Sequence, residues 1–165
     1  MKQFSERRKL KPKVYLETTI PSLLTARPSR DVLIAGQQQA TRDWWQERRQ
    51  RYQLFVSGLV LVESRRGDTT AAKARDEVLA ACNVLEYTEA AQQLAREILA
   101  TRLLPAKAAV DAAHIAVASV HEVDFLLTWN CRHIANAAIV DKVRAAIAAA
   151  GYAPPVICTP LELMI

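Results

Sequence analysis

The chain has 165 residues, a formal net charge of +5, and a composition that is 51% hydrophobic and 24% charged. These proportions fit a single globular domain with its own core and exclude a disordered chain. No apolar run reaches the roughly 20 residues of a membrane span, and the basic N-terminus lacks the apolar centre of a signal peptide. We therefore expect a cytoplasmic protein without a membrane partner. Three widely spaced cysteines, Cys82, Cys131 and Cys158, indicate reduced thiols.

The domain organisation predicted from the sequence is a basic N-terminal extension over residues 1–12 and a single domain over residues 13–165. The excess positive charge lies mainly in two stretches, Arg7–Lys13 and Arg48–Arg51. We interpret them first as a frayed tail and a solvated helix face, with direct contact to RNA as the alternative.

The first half of the chain alternates strands with helices. Residues 13–17 are β-branched and aromatic and predict a strand, and the segment Thr18–Ser22 that follows predicts a turn or a short helix. A long helix is expected over residues 29–52, with Ser29 as its N-cap. A second strand over residues 54–57 then runs into a short helix that carries Glu63.

The second half continues the alternation. The elements predicted here are a helix over 71–82, a short strand or extended link over 84–87, an amphipathic helix capped by Thr88, a buried helix over 108–120, a strand over 125–128, a helix over 137–150 that ends at Gly151, a strand over 156–158, and a capping box at Thr159. This order predicts an α/β fold, a three-layer α/β/α sandwich with a mainly parallel central sheet.

Four polar side chains stand at or near the ends of apolar runs: Glu17, Glu63, Asp111 and Asn130. The carboxyl ends of parallel strands line one edge of a sheet, so we expect these groups to converge there. Clustered carboxylates repel one another unless a cation is present, and oxygen ligands suit Mg²⁺ or Mn²⁺. The pattern therefore indicates metal-assisted hydrolysis of a phosphodiester.

At these positions the sequence resembles the PIN-domain family, and within it the VapC-like toxins of type II toxin–antitoxin systems. The segments that carry the resemblance are Val14–Ser22, Ser57–Ser64, Asp111–Ala118 and Leu126–Asn136, and their order spans nearly the whole chain. The resemblance implies a PIN-like fold and a magnesium- or manganese-dependent endoribonuclease that hydrolyses RNA. It also implies a homodimer and inhibition by a small antitoxin protein whose tail enters the acidic pocket.

By position, the resemblance assigns Glu17, Glu63, Asp111 and Asn130 to the four catalytic and metal-binding places. Four further side chains are candidates for a supporting role: Thr18, Thr128, His114 and His133. Each histidine is interpreted first as a hydrogen-bonded structural residue, with a role as a base as the alternative.

Two of the four places depart from the family pattern. The first is commonly Asp, and Glu17 is one methylene longer; the fourth is commonly acidic, and Asn130 offers a carbonyl oxygen without charge. Magnesium tolerates little geometric error. These departures leave open a second function, that of a catalytically weak or inactive PIN-like module that binds RNA or protein.

Overall fold

A computed structural model describes residues 10–165 of the chain, and its centre is a five-stranded sheet. The strands are β1 (Lys13–Leu16), β2 (Gln53–Ser57), β3 (Asn83–Leu85), β4 (Phe125–Leu127) and β5 (Val156–Cys158). Their order is β3-β2-β1-β4-β5, and every described pair is parallel. Tyr15 of β1 is in register with Phe55 on one side and Leu126 on the other.

Helices in two groups flank this sheet. They are α1 (Thr19–Thr25), α2 (Val32–Glu47), α3 (Gly58–Ser64), α4 (Thr69–Leu79), α5 (Glu89–Ala100), α6 (Ala109–Val120) and α7 (Val140–Ala149). In one group α1 packs against α2 and α4, and in the other α5 packs against α6 and α7. The predicted three-layer α/β/α fold is confirmed.

The core lies where the central strands meet the most apolar helix. Val14, Tyr15 and Leu16 of β1 are fully buried, as expected for a parallel strand covered on both faces. All residues of α6 from Ala112 to Ser119 are buried as well. Two of them are polar and need partners inside the protein, and one of these, His114, belongs to the candidate site.

Helix α2 is shorter than the predicted span of 29–52. Asp31, and not Ser29, is its N-cap, because the Asp31 carboxylate accepts a hydrogen bond from the backbone N–H of Ile34. The Ser29 hydroxyl instead accepts from the backbone N–H of Asp31. The helix ends at Glu47, and residues Arg49–Arg51 form a 3₁₀ turn.

Three further helix boundaries and the predicted capping box are present, some of them shifted by a few residues. Thr88 caps α5 as expected, and Gly151 follows α7 with a φ of +90°. Helix α7 begins at Val140 instead of 137, because the side chain of Asn136 accepts from the backbone N–H of Ala138 and holds a turn there. The capping box at Thr159 forms but opens only a 3₁₀ turn, Pro160–Leu163.

Most of the predicted N-terminal extension, residues 1–9, lies outside the described residues, so the division into residues 1–12 and 13–165 stays a prediction. Within residues 10–165 we find no helix with the length and apolar character needed to cross a membrane.

Candidate active site

The four polar side chains singled out in the sequence line one cavity of about 470 Å³. Glu17 directly follows β1, Glu63 lies in α3 just after β2, and Asn130 lies three residues beyond β4. Asp111 reaches the cavity from the first turn of α6. The cavity thus lies at the end of the sheet where β1, β2 and β4 terminate, which we call the carboxyl edge.

Glu17 is fixed through one of its two carboxylate oxygens. Its Oε2 accepts hydrogen bonds from the backbone N–H and the hydroxyl of Thr19, at 3.1 and 2.6 Å, and from the hydroxyl of Thr128 at 2.8 Å. The residue is only 4% exposed. The side chain of Glu17 therefore has a single orientation, and Oε1 has no hydrogen-bond donor among residues 10–165.

Glu63 is held by a histidine and a threonine. Its Oε1 lies 2.7 Å from Nε2 of His114 and accepts from the Thr18 hydroxyl at 2.9 Å. Burial alone would raise the pKa of this carboxyl, but hydrogen bonds and charge from His114, with help from Thr18 and Arg66, outweigh burial and lower it. Glu63 is therefore a carboxylate at neutral pH.

A buried chain of hydrogen bonds stands behind His114. Nδ1 of the ring lies 2.7 Å from the phenol oxygen of Tyr15, which lies 2.7 Å from the hydroxyl of Ser57. Burial raises the pKa of Tyr15 well above its usual range, although the hydrogen bond with Ser57 opposes the shift, so the phenol is neutral. Because the carboxylate of Glu63 can only accept, Nε2 of His114 carries a proton and donates a hydrogen bond to Glu63.

Asp111 and Asn130 are joined to each other and to His133. The Asn130 amide donates to Oδ1 of Asp111 at 3.0 Å, while Nδ1 of His133 lies 2.8 Å from Oδ2. The carbonyl oxygen of Asn130 accepts from the backbone N–H of His133 at 3.1 Å. Both oxygens of Asp111 thus have protein partners, and Asn130 uses its amide as a donor and its carbonyl as a cap.

Thr128 connects these groups across the sheet. It is fully buried, donates to Glu17, and accepts from the backbone N–H of Asn130 at 2.9 Å. The end of β1 and the loop after β4 are consequently positioned by one hydroxyl.

Three residues of this network were not among the candidates from the sequence: Thr19, Tyr15 and Ser57. A tyrosine inside a buried strand is a usable signal, since its hydroxyl must find a partner. The sequence signal for Thr19 was weaker. Threonine hydroxyls near the end of a strand form local hydrogen bonds of several kinds, and here Thr19 donates to the side chain of Glu17. Ser57 could not be distinguished from an ordinary buried serine.

The donor set suits Mg²⁺ or Mn²⁺ in kind, because carboxylates line the cavity and no thiol does. Oε1 of Glu17 and Oε2 of Glu63 have no protein donor among the described residues. However, no group of three or more His, Cys, Asp or Glu side chains within residues 10–165 is gathered closely enough to hold a metal ion. Each oxygen of Asp111 already has one hydrogen-bond partner, Asn130 or His133, and keeps a lone pair for a further ligand.

The sequence matches no protein-family model, and no curated protein matches it at a significant level. Solved structures do match the fold. The toxin VapC20 of Mycobacterium tuberculosis, described as cleaving the sarcin–ricin loop, aligns with a TM-score of 0.58 at 17% identity, covering 85% of this chain and 96% of the toxin.

Two toxin–antitoxin complexes give similar results. VapBC2 of Rickettsia felis, bound to a DNA fragment from its promoter, has a TM-score of 0.57 at 12% identity, with 88% of this chain and 97% of the other covered. DNA-bound VapBC of Salmonella typhimurium has a TM-score of 0.56 at 13% identity, with 90% and 98% covered. At such identities the likeness concerns the fold, and this chain therefore has the fold of the VapC PIN-domain toxins.

Proposed function

We propose that the protein is a metal-dependent endoribonuclease that hydrolyses phosphodiester bonds of RNA, and that it is the toxin of a toxin–antitoxin pair. The observation that carries this proposal is the single cavity at the carboxyl edge, where Glu17, Glu63 and Asp111 come together from three separate parts of the chain. The VapC-like fold supports it. The volume of the candidate active-site cavity, about 470 Å³, is in the range of small-molecule binding sites and would accommodate a nucleotide-sized group.

In this proposal Glu17, Glu63, Asp111 and Asn130 hold Mg²⁺ or Mn²⁺. The ion, when bound, supplies positive charge that stabilises the phosphodiester in the transition state and makes water a better nucleophile. Glu17 and Glu63 are already oriented, each with one oxygen anchored and the other unpaired within the described chain. Asp111 has a hydrogen-bond partner on each oxygen and would bind the ion through a remaining lone pair.

The supporting residues keep the carboxylates in place. Thr18 and His114 fix Glu63, and Thr128 fixes Glu17. His133 faces Asp111 and is only 17% exposed, so its role is to orient that carboxylate. Because these donors are already in position, little reorganisation would be needed around Glu17 and Glu63.

A small antitoxin and a second copy of the chain are the proposed protein partners, and the cytoplasm is the proposed location. VapBC complexes among the similar structures support an antitoxin. Exposed apolar side chains also support a protein partner, because Val32 and Leu33 are 84% and 80% exposed beside the cavity residue Ile34. Exposed adjacent apolar side chains of this kind are typical of interaction sites.

The test is cleavage of a panel of structured RNAs by the purified protein in Mn²⁺ or Mg²⁺. We expect cleavage that a chelator stops and that Asp111→Ala abolishes, because this change removes a ligand. Asp141→Ala is the matched control, since it removes an exposed carboxylate of α7 that does not line the cavity. Cleavage that survives both the chelator and Asp111→Ala would contradict the proposal.

One observation favours the second candidate, a PIN-like binding module with little or no catalysis. Both oxygens of Asp111 are occupied by Asn130 and His133, which is a stable arrangement without an ion. For this candidate, RNA or a partner protein binds but no RNA is cut in any divalent metal. Binding without cleavage over the whole RNA panel would decide for it.

A further inference from the structure

A second cavity, of about 420 Å³, lies at the opposite end of the sheet. Lys11 precedes β1, Arg49 and Gln50 precede β2, and Asn83 begins β3, and all four line this cavity. Because the strands are parallel, the amino ends of β1, β2 and β3 face away from the carboxyl edge. We call this place the amino-edge cavity, and it shares no lining residue with the candidate active site.

Residues from both basic stretches of the sequence line the amino-edge cavity. Lys11 comes from the first stretch and Arg49 from the second, and the described lining contains no acidic residue. Neither cation takes part in the ion pairs formed within residues 10–165. Two positive charges therefore line a concave surface without an ion-pair partner in the described part of the chain. Lys11 also borders a neighbouring cavity that Glu122 and Asp124 line, so Arg49 is the cation with no acidic residue beside it in either cavity lining.

The arginines around Arg49 have structural roles, and Arg49 does not share them. Arg48 donates to the backbone carbonyl of Met164 at 2.7 Å, and Arg51 donates to that of Ile165 at 3.0 Å. The guanidinium of Arg49 instead lies over the ring of Trp45, 4.6 Å from its centre. This stacking restrains the plane of the guanidinium and leaves its N–H groups without an acceptor among the described residues.

We propose that the amino-edge cavity binds a phosphate group of the RNA backbone, with Arg49 and Lys11 as the cationic contacts. A planar guanidinium held by an aromatic ring matches two phosphate oxygens, and an ammonium adds a mobile charge. The proposal rests on the proposed function, because the phosphate belongs to the same RNA that the carboxyl edge would cut.

This second contact would select for RNA of sufficient size. The four residues of β1, at about 3.3 Å each, place the two edges about 13 Å apart. An RNA that contacts both edges at once must therefore span at least this distance over the surface of the protein. A folded RNA satisfies this requirement more readily than a short fragment.

The experiment measures binding of a fluorescently labelled hairpin RNA of about 20 nucleotides by anisotropy, in chelator so that no cleavage occurs. Arg49→Gln and Lys11→Gln are compared with Arg96→Gln, which removes an exposed charge on α5. We expect each cavity variant to raise the Kd about three- to tenfold at low salt and to reduce the salt dependence of log Kd by roughly one unit of slope. Arg96→Gln should change the Kd less than twofold.

Two further arms distinguish the source of the phosphate and the role of the stacked ring. Inorganic phosphate and adenosine monophosphate are titrated while the backbone amide resonances of Gln50 and Asn83 are followed; shifts with either molecule but none with the hairpin would overturn the assignment to RNA. Arg49→Lys should keep the salt slope and lose part of the affinity. Equal effects of Arg49→Gln and Arg96→Gln, or no hairpin binding by the wild type, would also overturn it.

Failure of the proposed nuclease activity gives a different result. In that case the wild type binds the hairpin in chelator, Arg49→Gln weakens this binding, and no RNA is cut when metal is added. Circular dichroism melts of the variants, which alter only exposed or half-exposed side chains, check that the fold is kept.

Discussion

The side chain of Asn130 makes two hydrogen bonds, one as a donor and one as an acceptor, and a carboxylate could make only the second. Its carbonyl caps the turn at His133, and its amide donates to Asp111. An aspartate at this position could still accept from the backbone N–H of His133, but its second oxygen would face the carboxylate of Asp111. Asparagine therefore stabilises the site when no ion is bound.

Asn130→Asp should accordingly make the protein more dependent on metal. Without metal we expect a loss of about 1–3 kcal/mol in the free energy of unfolding, because a hydrogen bond becomes a repulsion between like charges. Millimolar Mn²⁺ should raise the melting temperature of the variant more than that of the wild type, since the ion binds only the folded state.

The matched control for this prediction is Asn136→Asp, which alters another turn-capping asparagine away from the carboxylates. Thermal melts with and without Mn²⁺ measure both variants. An equal response of Asn130→Asp and Asn136→Asp to the ion would show that Asn130 does not face a metal site.

Tyr15 lies deep in the core, and its hydroxyl is the hydrogen-bond partner of both Nδ1 of His114 and the hydroxyl of Ser57. Tyr15→Phe should lower the free energy of unfolding by about 1–3 kcal/mol, because it leaves buried groups of His114 and Ser57 without partners. Tyr152→Phe, whose hydroxyl has no side-chain partner among the described residues, should cost under about 0.5 kcal/mol. Urea unfolding measures both changes.

The ring nitrogens of His114 give an independent check. Long-range ¹H–¹⁵N spectra of the wild type should show the proton on Nε2, facing Glu63. A proton found on Nδ1 instead would mean that Glu63 does not accept from His114, and the orientation described for this carboxylate would be wrong.

At the scale of elements, α6 is the helix on which both the core and the site depend. It is buried from Ala112 to Ser119, and it carries Asp111 and His114. Small side chains such as Ala116, which is fully buried, allow the helix to lie close to its neighbours. A shift of α6 would move two site residues together.

Ala116→Leu should therefore reduce stability by about 1–3 kcal/mol through overpacking, and it should also weaken RNA cleavage by displacing Asp111. Ala148→Leu on the exposed side of α7 is the control and should leave both properties nearly unchanged. Chemical denaturation and the cleavage assay provide the two measurements. An Ala116→Leu variant with an unchanged free energy of unfolding would indicate that α6 can move without loss of stability.

The order of the elements and the parallel sheet could be predicted from the sequence, because buried strands and amphipathic helices have distinct apolar periods. The first residues of α2 and α7 could not be predicted, because single side-chain hydrogen bonds of Asp31 and Asn136 decide where each helix begins. Boundaries depend on such local contacts, whereas the topology depends on the whole pattern.

For the candidate site, the sequence placed four side chains that do line one cavity, but it did not reveal their hydrogen-bond partners. The pairing of His114 with Glu63 joins residues 51 positions apart, and that of His133 with Asp111 joins residues 22 apart. Spacing along the chain contains no information on such pairs. The assignment of the four residues as metal ligands stays a prediction.

At the scale of the whole molecule, the thiols should report on global unfolding. Burial raises the pKa of Cys158 to about 12, with the charge of Glu162 adding to the rise, and raises that of Cys82 to about 11 against the opposing charge of Arg49. Both thiols are therefore almost entirely protonated at pH 8, and a protonated thiol is a poor nucleophile.

Exposed Cys131 should consequently react first with iodoacetamide at pH 8, and Cys158 should react last, at a rate that follows the population of the unfolded chain. Mild urea should accelerate Cys158 far more than Cys131, because only Cys158 needs unfolding to become reactive. Mass spectrometry of the alkylated peptides measures each rate. Equal rates in native buffer would contradict the burial of Cys158.

The central position of β1 has a consequence for biosynthesis. β1 pairs with β4, and the Thr128–Glu17 hydrogen bond joins residues 111 positions apart. While the chain is being translated, β1, β2 and β3 can assemble early, but one side of β1 stays unpaired until β4 has left the ribosome. Glu17 gains Thr128, and Asp111 gains Asn130, only at that point. A nascent chain would thus acquire its complete acidic pocket only after β4 and Asn130 have been synthesised, long after Glu17 and Glu63.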